Sequence, residues 1–119
     1  MFEYQAWAVV RSDAGTEEAD DALMDGLRQQ VAALPEVLRG SFHLGDGTNG
    51  MWSFTASGLR NHQRVEVMLV FDWLAAHSRR SYGLLYVRDD SVEDGDRDAF
   101  HVYRLSDGRI AVLADPFFS

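Results

Sequence analysis

The chain has 119 residues, of which 46% are hydrophobic and 25% charged, and its formal net charge is −8. This length predicts one domain with a single core, spanning residues 1–119. The acidic balance argues against a nucleic-acid partner, because such a partner requires basic residues that neutralise phosphates. The absence of cysteine excludes disulfides and thiolate metal sites. No apolar run reaches the ~18 residues of a membrane span, and no signal-peptide pattern opens the chain, so we expect a cytoplasmic protein with no membrane partner.

The first half of the chain predicts a strand, a helix and a hairpin. Phe2–Arg11 is rich in aromatic and β-branched residues, which is typical of a strand. Glu17–Leu34 carries apolar residues at helical spacing, and Pro35 stops this helix or starts a short extra turn. Ser41–Leu44 and Met51–Ser57 flank a cluster of Gly, Asn and Asp residues, which predicts a hairpin.

The second half predicts a helix followed by three strands. Arg64–His77 could be a strand by propensity, but its length and the alignment of its apolar residues on one face favour a helix. Tyr82–Arg88 is apolar on both faces, as a central strand is. Ala99–Leu105 and Arg109–Ala114 are joined by a Ser-Asp-Gly turn, a second hairpin signal. The predicted fold class is α+β: one mostly antiparallel sheet of about six strands with two helices packed on one face, in the order β-α-β-β-α-β-β-β.

One core between the sheet and the helices is expected from the periodicity of the apolar residues. Its predicted members are Trp52, Phe54, Leu84, Tyr86, Leu27, Val31, Phe71 and Leu74. Trp7 and Trp73 are interpreted as further core aromatics.

The end of the chain predicts an ion pair that would hold the C-terminal segment against the core. Arg88 closes an apolar strand, and we expect it to form a bidentate pair with Asp115 or Asp72. Such a pair would fix a C-terminal segment in which Phe117 and Phe118 cap one end of the core.

Acidic residues are concentrated in two stretches, each of which holds six of the 19 acids. The second stretch, predicted as a densely charged loop, is the first choice for a partner-docking surface because loops carry binding function. Its candidate residues are Asp89, Asp90, Glu93, Asp94, Asp96 and Asp98. The second choice lies at the start of the first helix, where the helix dipole alone accounts for carboxylates. Its candidates are Glu17, Glu18, Asp20 and Asp21. The alternative for both stretches is a solvated surface without a partner.

No motif in the chain indicates catalysis. The four histidines match no metal-ligand spacing. The D-x-D-x-D run at 94–98 departs from a calcium-binding loop, since Val92 occupies a ligand position and His101 stands where a bidentate Glu belongs. We therefore predict no catalytic residue, no metal and no cofactor.

Four segments spread along the chain resemble the immunity protein 7 family of bacterial polymorphic toxin systems. They are the first strand around Trp7, the Asn61-His62-x-Arg64 step into the second helix, Ser81–Asp90 and Asp115–Ser119. The motif positions singled out in them are Trp7, Asn61, His62, Arg88, Asp115 and Phe117. The resemblance implies an α+β fold, no enzymatic activity, and tight binding to one cognate toxin domain, often a nuclease. It also implies a cytoplasmic antitoxin encoded beside its secreted toxin.

Three functions remain open at this point. The first is an immunity protein, favoured as a monomer, that neutralises a nuclease toxin by occlusion and charge complementarity. The second is a small ligand-binding or catalytic domain that uses His62, Arg88 and Asp89 in a sheet–helix pocket. The third is a homo-oligomeric subunit joined through its apolar second helix. A pocket of ~300 Å³ or more with convergent polar groups would favour the second function.

Overall fold

The computed structural model describes residues 1–45, 50–60, 66–89 and 100–117 of the chain. The elements in these ranges, in chain order, are β1 (Phe2–Val10), α1 (Glu17–Ala32), α2 (Glu36–Arg39), β2 (Phe42–Leu44), β3 (Trp52–Arg60), α3 (Glu66–His77), β4 (Tyr82–Asp89), β5 (His101–Ser106) and β6 (Arg109–Ala114). The predicted α+β class and element order are confirmed. The short helix α2 follows Pro35, and it is the extra turn that the sequence left as an alternative.

The strands form one antiparallel sheet in the order β2-β3-β1-β4-β5-β6. The N-terminal strand β1 is central, since it pairs with β3 along one edge and with β4 along the other. Residues that lie opposite each other on antiparallel strands share a face of the sheet. The face that packs against the helices is formed by even positions of β1, β3 and β6 and by odd positions of β4 and β5.

The core lies between this face and helices α1, α2 and α3. Its largest fully buried side chains include Tyr4, Phe54, Phe71, Met24 and Leu74. Tyr4 is accommodated because the residue opposite it on β3 is Gly58, where an added Cβ would lie 2.6 Å from the Tyr4 hydroxyl oxygen. The buried Tyr4 hydroxyl donates to Ser41 Oγ at 2.6 Å, so its polar end is satisfied.

Helix α1 begins and packs as its sequence dictates. Thr16 is the N-cap, and its side chain accepts a hydrogen bond from the Ala19 backbone N–H at 3.2 Å. Close contact with α3 occurs at Gly26, where an added Cβ would lie 2.7 Å from the ring of Trp73. The helices therefore approach each other closely at this glycine.

Three residues predicted for the core lie outside it. On β4 the alternation places Leu85 in the core with no exposed surface, whereas Leu84 and Tyr86 point to the other side of the sheet and are half-buried. The prediction was wrong because β4 is apolar on both faces, so periodicity within the strand could not choose the inward set. Trp7 was also wrongly placed, since it is 41% exposed on the side of the sheet away from the helices.

The contacts of Arg88 and of the C-terminal segment differ from those predicted. Arg88 forms its ion pair with Glu3, directly opposite on β1, at 3.2 Å, and not with Asp115 or Asp72. Asp115 is buried, and its Oδ1 accepts a hydrogen bond from the Phe117 backbone N–H at 3.0 Å. Phe117 is 73% exposed, so it does not cap the core. The reason is local: the Asp115 carboxylate closes a turn with the Phe117 backbone, and the Phe117 side chain is left in solvent.

Several sequence predictions fall outside the described residues. They concern the turn residues of the first hairpin at 46–49, the Asn61-His62 step at 61–65, the acidic stretch at 90–99, and Phe118.

Candidate partner-binding surfaces

One side of the sheet is not covered by any of the described helices. We call it the helix-free face, and it consists of odd positions of β1, β2, β3 and β6 and even positions of β4 and β5. On β3 it presents the small polar residues Ser53, Thr55 and Ser57. On β1 and β4, at the middle of the sheet, it presents large side chains. The face is therefore polar on one flank and apolar at its centre.

Trp7 and Tyr82 form the centre of the helix-free face. Their ring centroids are 6.0 Å apart with an interplanar angle of 85°, a favourable edge-to-face contact. Trp7 is 41% exposed and Tyr82 39% exposed, so each ring is held by its neighbours and still reaches solvent. Leu84, two residues after Tyr82 on β4, lies directly opposite Trp7 on β1.

A second aromatic contact lies further along β4. The ring of Tyr86 meets that of Phe100 edge to face at 6.1 Å, and the guanidinium carbon of Arg88 lies 5.7 Å from the centre of the Phe100 ring. Opposite Tyr86 on β5, Val102 is buried although it lies on this side of the sheet. This end of the face is therefore packed by its own side chains and is less open than the Trp7 end.

The charges of the helix-free face are mainly basic. Glu3 and Arg88 offset each other in the ion pair at 3.2 Å. Arg104, opposite Leu84, and Arg109, at the start of β6, are exposed, and neither makes an ion pair within the described part of the chain. This contrasts with the net charge of −8 for the whole chain.

The acidic surface of α1 lies on the opposite side of the molecule from the helix-free face. Glu17, Glu18 and Asp21 are exposed in the first turns, and no basic residue occurs in the helix before Arg28. Asp21 Oδ1 also accepts a hydrogen bond from Trp52 Nε1 at 2.9 Å. Three of the four candidate residues on this helix are thus available at the surface.

Asp20, the fourth candidate, has a structural role. Its Oδ1 accepts a hydrogen bond from the Ser12 backbone N–H at 2.7 Å, which ties the end of β1 to α1. Burial tends to raise the pKa of Asp20, but the hydrogen bonds from Ser12 and the charges of Arg80 and Arg11 outweigh this, so the pKa is lowered. Its carboxylate is engaged within the fold and is a poor candidate for docking.

A group of buried serines surrounds the same junction. Ser12, Ser78 and Ser81 are all buried, and Ser78 Oγ and Ser81 Oγ both donate to the Arg11 carbonyl oxygen. The Ser81 backbone N–H in turn donates to Ser78 Oγ at 3.0 Å. These hydroxyls satisfy backbone groups where β1 ends and β4 begins, so they do not resemble a nucleophilic site.

A cavity of the size expected for the ligand-binding or catalytic alternative exists; of the three residues in that alternative, His62 lies outside the described residues. A cavity of about 450 Å³ opens between α3 and strands β4, β5 and β6. Its walls are mostly apolar, and its polar groups are Asp72 and the hydroxyl of Tyr103. Arg88 is on the other face of the sheet, and Asp89 is not part of the lining. Among the described residues, no group of three or more His, Cys, Asp or Glu side chains could hold a metal.

Of the preferred docking residues, the structure places only Asp89, at the end of β4; Asp90, Glu93, Asp94, Asp96 and Asp98 lie outside the described residues.

The helix-free face was missed by sequence reasoning, although β1 carried a usable signal. Its even positions are all apolar, whereas Trp7 is in phase with Glu3 and Gln5. An aromatic residue in phase with polar ones indicates an exposed position.

An α+β sheet domain with helices on one side and exposed aromatic side chains on the other presents a surface of the class that binds protein partners. The family comparison agrees with this class. The family model of immunity protein 7 matches residues 1–119, so the chain belongs to the immunity protein 7 family. It is accordingly an immunity protein against a toxin, and the family suggests a non-catalytic inhibitor.

Searches of curated proteins and of solved structures found no match to this chain. Within the described ranges, every helix is too short or too polar to span a bilayer.

Proposed function

We propose that this immunity protein neutralises a nuclease toxin domain by covering or flanking its basic substrate-binding surface. Nucleases bind phosphates through basic residues, so an acidic inhibitor can compete for the same surface or bind beside it. Complementary charge would also speed the encounter, which matters for an inhibitor that must reach its toxin before the toxin reaches nucleic acid.

The observation that carries this proposal is the exposed acidic surface at the start of α1. Glu17, Glu18 and Asp21 are exposed together, and the first basic residue of the helix comes only at Arg28. Arg28 is already engaged, since it pairs with Asp25 at 2.7 Å. The three carboxylates therefore present a local negative potential to a partner. In the sequence, the stretch 89–98 adds a second acidic surface to the proposal.

Co-expression with the toxin domain encoded beside the gene tests the proposal. We expect cells that express both proteins to grow, whereas cells that express the toxin alone die. Purified toxin should lose its nuclease activity when the immunity protein is added at equal concentration. If the wild-type protein neither protects cells nor inhibits the purified toxin, the proposed function is wrong.

Charge-reversal variants test the role of the acidic surfaces. Reversal at Glu93, Asp94 and Asp96 in one variant, and at Glu17 and Glu18 in another, should slow association with the toxin about tenfold at low salt. The dependence of the association rate on ionic strength should flatten, because screening acts on these charges. Melting temperatures serve as the control for folding. Unchanged rates in both variants would show that neither acidic surface steers the toxin.

A further inference from the structure

The helix-free face has the composition of a binding hot spot at its centre. Trp, Tyr and Arg are the residue types that most often carry binding energy at protein interfaces. Trp7 and Tyr82 are held in an edge-to-face contact and are still 41% and 39% exposed. Side chains that are fixed before binding lose little conformational entropy when a partner covers them.

The size of the face suits a stable complex. Six strands at a spacing of about 4.8 Å, and central strands of nine residues with a rise of about 3.3 Å, give a surface on the order of 700 Å². A standard interface uses about 800 Å² on each partner. The helix-free face with its rim is therefore large enough to serve as one side of a specific interface.

The charge of the face argues for a partner other than a second copy. Arg104 and Arg109 carry two positive charges without an ion pair in the described ranges, and Glu3 is already paired with Arg88. A two-fold dimer through this face would bring two surfaces of the same sign together. Like charges across an interface cost affinity, so the matching surface should carry carboxylates.

We propose that the toxin domain docks on the helix-free face, with an apolar patch over Trp7 and Tyr82 and with carboxylates that contact Arg104 and Arg109. This inference rests on the proposed function and places the anchoring contact on the sheet, so the carboxylates at the start of α1 would steer the approaching toxin without contacting it in the final complex. The helix-free face would form the centre of the interface, from which water is excluded, and the acidic residues would speed the encounter with the toxin.

The test measures the affinity of the full chain for a catalytically inactive variant of the toxin domain. We expect Trp7→Ala to weaken binding at least thirtyfold and Arg104→Glu at least tenfold. The matched control is Leu69→Ala, which removes an apolar side chain that is 56% exposed on α3, away from the face. It should change affinity by less than twofold. Arg104→Glu alters an exposed side chain, so it remains informative if Trp7→Ala folds poorly.

The outcomes separate the two proposals. If the wild-type protein binds and protects, but Trp7→Ala and Arg104→Glu bind within twofold of it, the docking surface is wrong and the immunity function stands. If the wild-type protein does not bind the toxin, the proposed function itself fails. A wild-type dimer that Trp7→Ala converts to a monomer in sedimentation would overturn the proposal in favour of a second copy on this face.

Discussion

The indole ring of Trp7 meets the phenol ring of Tyr82 edge to face across two neighbouring strands, with centroids 6.0 Å apart. The two residues are diagonal neighbours, since Trp7 lies opposite Leu84 and Tyr82 lies opposite Val9. The contact is on the side of the sheet away from the helices, so it orders two aromatic side chains without burying them.

The first prediction concerns the strength of this contact. In a double-mutant cycle of Trp7→Ala and Tyr82→Ala, we expect a coupling free energy of about 0.5–1 kcal/mol, because edge-to-face pairs add to area burial and this pair is half exposed. The free energies of unfolding would be measured by urea denaturation. Additivity of the two changes within about 0.3 kcal/mol would show that the rings do not stabilise each other.

The second prediction uses two adjacent leucines of β4 as a matched pair. Leu85→Ala should lower the free energy of unfolding by about 2–5 kcal/mol, because Leu85 is fully buried in the core. Leu84→Ala should cost less than about 1.5 kcal/mol, because Leu84 is half-buried on the helix-free face. Chemical denaturation of both variants gives the comparison. Equal losses would contradict the assignment of the two faces.

The third prediction concerns the contact between α1 and α3. Glycine to alanine in a helix normally stabilises by about 1 kcal/mol. At Gly26 the new Cβ would lie 2.7 Å from the Trp73 ring, and overpacking of this kind costs about 1–3 kcal/mol. We therefore expect Gly26→Ala to lower the melting temperature. Adding Trp73→Phe should recover part of the loss.

A control for this prediction is available in the same chain. Gly40 has a φ of −69° and no neighbouring atom within 4 Å of an added Cβ. Gly40→Ala should therefore be neutral or slightly stabilising. If Gly26→Ala is as well tolerated as Gly40→Ala, the helices do not approach as closely as described.

The fourth prediction is a dependence of stability on pH that comes from Asp20. Folding lowers the pKa of this carboxyl group below its ordinary value of 3.8, through the hydrogen bonds from Ser12 and the nearby Arg80 and Arg11. The stabilisation is complete above the unfolded pKa and is lost as the pH falls through the folded pKa. Replacing Asp20 with Asn keeps an acceptor oxygen and removes the charge.

The difference in unfolding free energy between wild type and Asp20→Asn should be constant from about pH 7 to pH 5 and shrink below about pH 4. Thermal or urea denaturation across this range measures it. A difference that grows as the pH falls would contradict the sign of the pKa shift.

The sequence predicted the elements well because local signals sufficed for them. Thr16 followed by acids located the start of α1, and Pro35 located its end and the following short helix. The ambiguous segment before His77 was correctly interpreted as a helix, now α3, because its apolar residues align on one face. These signals depend on neighbouring residues alone.

The faces of the sheet and the partner of Arg88 were less predictable. Both sides of β4 are apolar, so the inward set depends on which side the helices pack, and that is decided by tertiary structure. Arg88 pairs with Glu3 because the register of β1 and β4 places them opposite each other, 85 positions apart in the sequence. Pairing registers of distant strands have no local signature, so the helix-free face could not be assembled from the sequence.

The central position of β1 has a consequence for biosynthesis. Strand β1 is synthesised before both strands that pair with its edges, β3 and β4, and β4 ends only at Asp89. Helix α1 is likewise synthesised before the sheet that it covers is complete. Folding dominated by such distant pairings is slow among small domains, on the order of milliseconds to seconds. Synthesis and folding together therefore set a delay before a newly made copy can protect its cell, so protection at any moment depends on copies that are already folded.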